Sequence, residues 1–300
     1  MTESVSSPLL GDVQAHIAQL WVYPVKSCAG IALERAELTA DGLRHDRNWM
    51  VVDHEGAFVT QRELPQMVLI QPELTASACV LRAPGMAPLA LPFEAQGAEV
   101  AVRIWDDGFS AFDMGDEAAR WLTEFLAPQA PSHLKRLRLV RFDPEVRRLC
   151  SPRWTGGHEA TTRFADGFGV LVTSLASLEG LNARLAAGGL TAVDMRRFRP
   201  NVVIGGVEPH DEDRIGAWRI ATGQGVAALE NVKPCARCPM PNIDPQTGLS
   251  APDVSDTLQP YRQDRRLGGA VTFGMNAIVL EGAGSVLALG QAVGADWRFD

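Results

Sequence analysis

The sequence predicts an α+β fold dominated by β-strands, barrel-like, with a few peripheral helices. Three observations predict it. Short apolar stretches bounded by turn residues recur in both halves of the chain, and helical periodicity is confined to two segments. The chain also has 300 residues at 46% hydrophobic composition, enough to bury a substantial core without disulfide or metal staples. Many short strands leave edges of unpaired N–H and C=O groups, and closing them into a barrel removes those edges.

The elements follow in chain order. HIAQLWVYPV (16–25), RNWMVVD (47–53) and AFVTQRE (57–63) read as strands of a meander, with DG, HEG and LP as turns. GDEAARWLTEFLA (115–127) places Ala118, Trp121, Leu122 and Phe125 at helical spacing behind two acids, which predicts an amphipathic helix. From about 128 to 162 the loop formers PQAPS and SPRWTGGHEATT flank a basic strand candidate, LKRLRLVRF, and mark a domain boundary or an active-site loop. FGVLVTS (168–174) leads into a helix over SLASLEGLNARLAA (174–187). RFRPNVVIGG (197–206) follows, then strand candidates at AWRIATG, GVAALENV, NAIVLEG and SVLALG. There is no internal repeat and no low-complexity tract.

Composition excludes several function classes. No apolar run approaches the roughly 18–20 residues that span a bilayer, and MTESVSSPLLGDVQAH lacks the basic and apolar regions of a secretory signal. The expectation is a cytoplasmic protein without a membrane partner. A net charge of −8 and the lack of a basic run argue against nucleic acid, though a local basic pocket for an anionic ligand remains open. The five cysteines are odd in number and scattered except for one pair, which predicts reduced thiols.

That pair lies in ENVKPCARCPMPNIDPQTG (230–248). Zinc needs four ligands, and beyond Cys235 and Cys238 the chain offers only isolated histidines such as His158 and His210. Iron–sulfur clusters need four cysteines, and Cys28, Cys79 and Cys150 have no ferredoxin spacing to the pair. A thioredoxin-like dithiol wants a helix at the cysteines, which Pro239 and Pro241 discourage. Two readings remain: inert cysteines in a loop, or a single thiolate bound to a soft metal whose other ligands come from a cofactor, with a guanidinium nearby. In YPVKSCAG (23–30), Lys26 and Ser27 are phosphate-binding types without the upstream glycines of a P-loop; a solvated lysine at a strand end is the plain alternative. Arg47, in GLRHDRNWMVVD (42–53), is suited to bidentate recognition of phosphate or to a surface pair with Asp46. Thr173 and Ser174 suit either a helix cap or an anion at a helix N-terminus.

Taken in order, YPVKSCAG, GLRHDRNWMVVD, LVTSLASLEGLN, RFRPNVVIGG and KPCARCPMPNIDPQTG resemble the motifs of the MOSC family of molybdenum-cofactor proteins. Within that family they are most similar to the YcbX-like and mitochondrial amidoxime reducing component branch, and molybdenum cofactor sulfurase shares the cysteine motif. The resemblance implies a MOSC N-terminal β-barrel-like region over about 14–130 and a MOSC domain with its own β-barrel over about 150–295. It also implies the molybdenum cofactor, a molybdopterin. Cys238 matches the molybdenum-ligating thiolate, and Cys235 matches a position that is not a ligand. Lys26 and Ser27 match the residues that hold the pterin phosphate, Arg47 and Arg199 match cofactor arginines, and Thr173 with Ser174 match the pair opening the helix. Arg237 and Asn276 fall at cofactor- and metal-proximal positions. The implied activity is reduction of N-hydroxylated compounds such as amidoximes, hydroxylamines and N-hydroxylated bases. No cysteine follows Cys238, so electrons would come from a separate ferredoxin-, cytochrome b5- or flavoprotein-type protein. The alternative implied by the same motif is a cofactor or sulfur carrier with a persulfide on Cys238. The sequence departs from the family in the two prolines of CPMPNIDPQTG, which predicts a differently shaped loop over the metal.

Overall fold

In the strand Val13–Val22 the buried residues are Val13, Ile17, Leu20 and Val22. A register shift between Ile17 and Gln19 lets that spacing serve one apolar interior. The computed structural model describes residues 9 and 11–299. Residues 1–8 and 10, on which the reading of a missing secretory leader rests in part, lie outside the described residues. Val13–Val22 pairs antiparallel with Val202–Gly205 on one side and with Ala292–Trp297 on the other. Pairing then runs through Ile215–Thr222, Gly225–Ala236, Ala270–Glu281 and Val170–Ser174, which returns to Val202–Gly205 and closes a seven-stranded barrel. Every neighbouring pair is antiparallel except Val170–Ser174 with Val202–Gly205. Those two strands are linked through a helix, α2 (Leu175–Ala187), as a parallel connection requires. The interior is filled by Ile17, Leu20, Val172, Ile204, Trp218 and Val293 among others, all at most 1% exposed. The indole N–H of Trp218 donates to Asn231 Oδ1 at 3.2 Å, so its burial leaves no polar orphan.

A second sheet joins Trp49–Val52, Arg138–Phe142, Asp107–Asp113 and Glu99–Ile104, and a third joins Gln71–Leu74, Ala78–Arg82 and Leu89–Pro92. Helix α1 (Gly115–Leu126) buries Ala118, Trp121, Leu122 and Leu126 against this part of the molecule, sharing a core with Trp49, Leu64 and Leu139. Val13–Val22 belongs to the barrel built otherwise by residues 170–297, and Arg138–Phe142, between the two regions read from the sequence, belongs to the second sheet.

Two expectations change. AFVTQRE is not a strand: only isolated bridges form, Val52 with Phe58 and Ala57 with Arg103. The chain turns at Thr60 because the Glu63 carboxylate accepts from both Thr60 N (2.9 Å) and Thr60 Oγ1 (2.5 Å). Conversely, the strand expected to end near Val232 continues to Ala236, its pairing with Ala270–Glu281 sustained through bulges as far as Ala236 opposite Thr272. Cys235 therefore stands on a barrel strand rather than in a loop. Before the next barrel strand the chain makes a one-turn 3₁₀ helix, Met240–Asn242, a short helix α3 (Asp253–Leu258), a two-residue strand Gln263–Asp264 and a 3₁₀ turn Arg265–Leu267. Among the described residues no helix is long and apolar enough to cross a membrane.

Candidate functional site

A cavity of about 380 Å³ opens where the barrel meets the second sheet. Its wall begins where Val13–Val22 ends. Backbone bonds from Lys26 N to Trp49 O (2.8 Å) and from Arg47 N to Tyr23 O (2.9 Å) tie the YPVKS segment to the RNW segment, setting Lys26, Ser27 and Arg47 side by side. The Lys26 side chain is 7% exposed; its ammonium donates to Asp166 Oδ1 (2.5 Å) and to Phe164 O (2.8 Å). Burial pulls the Lys26 pKa down, and Asp166 opposes that pull.

Arg199 reaches the same cavity from the end of the 3₁₀ turn Met195–Phe198 and donates to Cys28 O at 2.6 Å. Arg47 and Arg199 both lie over the Tyr23 ring, 4.6 and 4.3 Å from its centre. A side chain at residue 30 would collide with that ring at 2.4 Å, so Gly30 clears the space Tyr23 occupies. Among the described residues, Arg47 has a carboxylate partner, Asp46 Oδ2 at 2.5 Å, and Arg199 has none. Burial first, and Arg47 second, draw the Arg199 pKa down to about 10. Asn201, 1% exposed, accepts from Leu171 N (3.1 Å) and from Arg47 Nη1 (3.3 Å) and donates to Trp21 O (3.3 Å), locking the arginine to the barrel mouth.

The opposite wall comes from the strand Gly225–Ala236 and its continuation. Arg237 Nη1 donates to Cys235 Sγ at 3.0 Å and Nη2 to Phe198 O at 2.8 Å, while its buried Nε has no partner. The guanidinium expected beside a ligating thiolate therefore touches Cys235, and Cys238 is left half-buried at the cavity as a free thiol, with no hydrogen bond to its sulfur among the described residues. Asn276 stands in register opposite Lys233, and both line the cavity. Among the described residues no group of three or more His, Cys, Asp or Glu side chains is placed to hold a metal by itself.

Strain and charge both concentrate here. Of the six non-glycine residues with positive φ among the described residues, four line this cavity: Ser27 (67°), Arg47 (50°), Trp105 (53°) and Arg199 (57°). Left-handed backbone of this kind costs on the order of 1 kcal/mol or more per residue and persists where surrounding structure over-determines it. The cations Arg199, Arg237 and Lys233 have no carboxylate within ion-pair distance among the described residues. In a chain of net charge −8, this makes a local cationic pocket with two sulfurs at one wall. Such a donor set suits an anion met by charge-assisted bonds and, at Cys238, a soft metal.

Of the residues singled out from sequence, Lys26, Ser27, Arg47, Arg199, Arg237, Cys238 and Asn276 share the cavity, and Thr173 and Ser174 do not. Both of the latter are 0% exposed behind the wall. Ser174 caps α2 by accepting from Ser177 N and donates to Glu212 Oε2 at 2.9 Å, while Thr173 Oγ1 donates to Met195 Sδ at 3.3 Å. Their hydroxyls are spent on the helix start and on a buried carboxylate. Sequence reasoning missed Asp166, Asn201 and Lys233. Asn201 follows the Arg-Pro of a motif already singled out, and Lys233 precedes Cys235 by two, the spacing of one strand face; Asp166 carries no local signal.

Comparison with known proteins adds the following. Residues 14–129 match the MOSC N-terminal beta barrel domain and residues 159–293 the MOSC domain. The chain is 34% identical over 289 residues to mitochondrial amidoxime-reducing component 1 of Homo sapiens, a match covering 90% of this chain and 80% of that one. It is also 34% identical over 257 residues to mitochondrial amidoxime reducing component 2 of Bos taurus, covering 82% and 72%. Molybdenum cofactor sulfurase of Bos taurus is 28% identical over 267 residues, which take up 84% of this chain and 30% of the sulfurase.

Proposed function

The chain belongs to the MOSC family, carrying the MOSC N-terminal beta barrel and MOSC domains, and on that premise we propose that it is a cytoplasmic molybdenum-cofactor oxidoreductase. It reduces N-hydroxylated compounds such as amidoximes, hydroxylamines and N-hydroxylated bases, using electrons from a separate ferredoxin-, cytochrome b5- or flavoprotein-type donor. The observation that carries the reading is the cavity that Arg199 and Arg237, arginines without carboxylate partners among the described residues, share with Cys238. Relatives at 34% identity are named for amidoxime reduction.

The residues present fit the cofactor. Its pterin phosphate is a dianion, and Lys26, Ser27, Arg47 and Arg199 provide an ammonium, a hydroxyl and two guanidiniums at one end of the cavity. Arg237, with an unpaired buried Nε, has a donor to spare for the same ligand. Cys238 would supply the thiolate, and Asn276 lines the same cavity from the neighbouring strand, opposite Lys233. When bound, the cofactor supplies a two-electron redox centre that the protein itself lacks. The chain's own contribution is binding and orientation. Asn201 and Asp46 fix the Arg47 guanidinium, and the Tyr23 ring carries Arg47 and Arg199 together. Asn276 and Lys233 face the space in front of the sulfurs, where a substrate N–O group would be oriented. Overall, the N–OH group takes two electrons and two protons and leaves as N–H and water.

The sulfurase relative favours a second reading, a cofactor or sulfur carrier with a persulfide on Cys238. One preparation separates them. Protein made in a host that synthesises the cofactor contains close to one molybdenum and one pterin per chain and no zinc, and with a chemical or protein donor it reduces benzamidoxime. Stoichiometric zinc without molybdenum overturns the family chemistry altogether. A transferable persulfide with no reduction under any donor replaces the reductase by the carrier.

A further inference from the structure

Once the phosphate end is given to Lys26, Ser27, Arg47 and Arg199, one cation is left on the substrate side of the cavity. Lys233 lies on the thiolate side, on the same strand as Cys235 and opposite Asn276 in the barrel register. It has no carboxylate within ion-pair distance among the described residues. Its ammonium sits 5.3 Å from the centre of the Trp154 ring, and Arg153 lies over the same ring at 5.5 Å. Trp154 does not choose that position freely: it packs, with Val232, against Cys150, Ala160, Phe168 and Ile278. The 150–168 segment thus uses a packed aromatic face to hold a lysine at the cavity wall, a cation–π arrangement that fixes the ammonium without neutralising it.

A half-buried cation held this way has its counter-charge supplied by whatever enters the cavity. We propose that Lys233, presented by Trp154, selects N-hydroxylated substrates that carry an anionic oxygen group, a carboxylate or a phosphate, over neutral or cationic analogues of the same shape. This rests on the reductase reading and names the substrate class within it. Arg153, exposed and over the same ring, adds to the positive potential an anionic substrate meets at this wall.

The test uses cofactor-loaded protein and four substrates of one shape: benzamidoxime and its 4-carboxy, 4-phosphono and 4-trimethylammonio derivatives. The wild-type protein shows kcat/KM for the acids about tenfold above the neutral compound, mostly through KM, and the cationic compound falls below it. Lys233→Gln collapses the series toward a single value and Lys233→Arg restores the order. Whichever acid gains more identifies carboxylate or phosphate as the natural group. A second readout avoids turnover: calorimetric binding of 4-carboxybenzamide against benzamide carries the same preference in the wild type and loses it in Lys233→Gln. If benzamidoxime is reduced but the acids have no advantage, or keep it in Lys233→Gln, the assignment of Lys233 is wrong and the reductase reading stands. If the loaded wild type reduces none of the four, both fall.

Discussion

Replacing Arg199 by methionine separates a structural arginine from one held ready for an anion, because the two roles predict opposite signs for stability. Arg199 ends its 3₁₀ turn at φ 57°, donates to Cys28 O at 2.6 Å and stacks on Tyr23. Burial and the adjacent Arg47 draw its pKa down from the ordinary guanidinium range to about 10. At neutral pH the group is charged in both folded and unfolded chains, so the whole depression acts against the fold, roughly 3 kcal/mol, and is relieved only above about pH 10. Methionine keeps an unbranched apolar stem and tolerates the left-handed backbone as arginine does, but it is shorter and forfeits both the guanidinium's stacking on Tyr23 and the bond to Cys28 O, together roughly 1–2 kcal/mol. The cofactor-free protein is therefore expected to gain about 1–2 kcal/mol, a rise in melting temperature of roughly 2–6 °C by scanning calorimetry. The loaded protein moves the other way. Loss of a charge-assisted bond to phosphate, about 1.5–3 kcal/mol, lowers affinity by tenfold or more, read as molybdenum and pterin retained after gel filtration. A variant that melts several degrees lower without cofactor and retains it fully would refute the anion-holding role.

The remaining predictions concern the sulfurs and a buried acid. Cys238→Ser abolishes benzamidoxime reduction, whereas Cys235→Ser keeps most of it, because a serine oxygen can still accept from Arg237 as the Cys235 sulfur does at 3.0 Å; equal loss in both, with a disulfide cycling during turnover, would point to dithiol chemistry instead. Glu212 is 0% exposed, and burial together with Asp213 pushes its pKa up to about 7 against the donors Ser177 and Ser174. The unfolded carboxyl ionises near 4.5, so the stability contributed by the protonated group falls as pH rises from about 4.5 to 7 and is level above, a change of roughly 3 kcal/mol. Glu212→Gln removes that slope, so its melting temperature relative to wild type climbs between pH 5 and 7; a constant difference across that range would mean the carboxyl titrates at its ordinary value.

Much of the architecture is legible in local pattern. Short apolar stretches in FGVLVTS, AWRIATG and NAIVLEG marked strands that all enter the barrel, and the helical spacing of Ala118, Trp121 and Leu122 marked α1 and its buried face. Proline after Cys238 correctly denied a helix there, since Pro241 sits within a single 3₁₀ turn. The five ordered motifs also marked most of the residues that line the cavity, because each motif carries its own phosphate- or metal-binding residue types.

What tertiary structure alone decided is which of those residues meet. Periodicity tells which face of a segment is buried and not against what, so nothing local announces that Val13–Val22 closes a barrel made otherwise of residues 170–297. The convergence of Lys26, Arg47, Arg199 and Arg237 depends on backbone pairing between distant segments, as does the diversion of Thr173 and Ser174 to Met195 and Glu212 behind the wall. Charge balance is likewise a through-space property. Lys26 is matched by Asp166, 140 residues away, while Lys233 is left with an aromatic ring, and only the folded chain determines which cations keep a charge to offer a ligand.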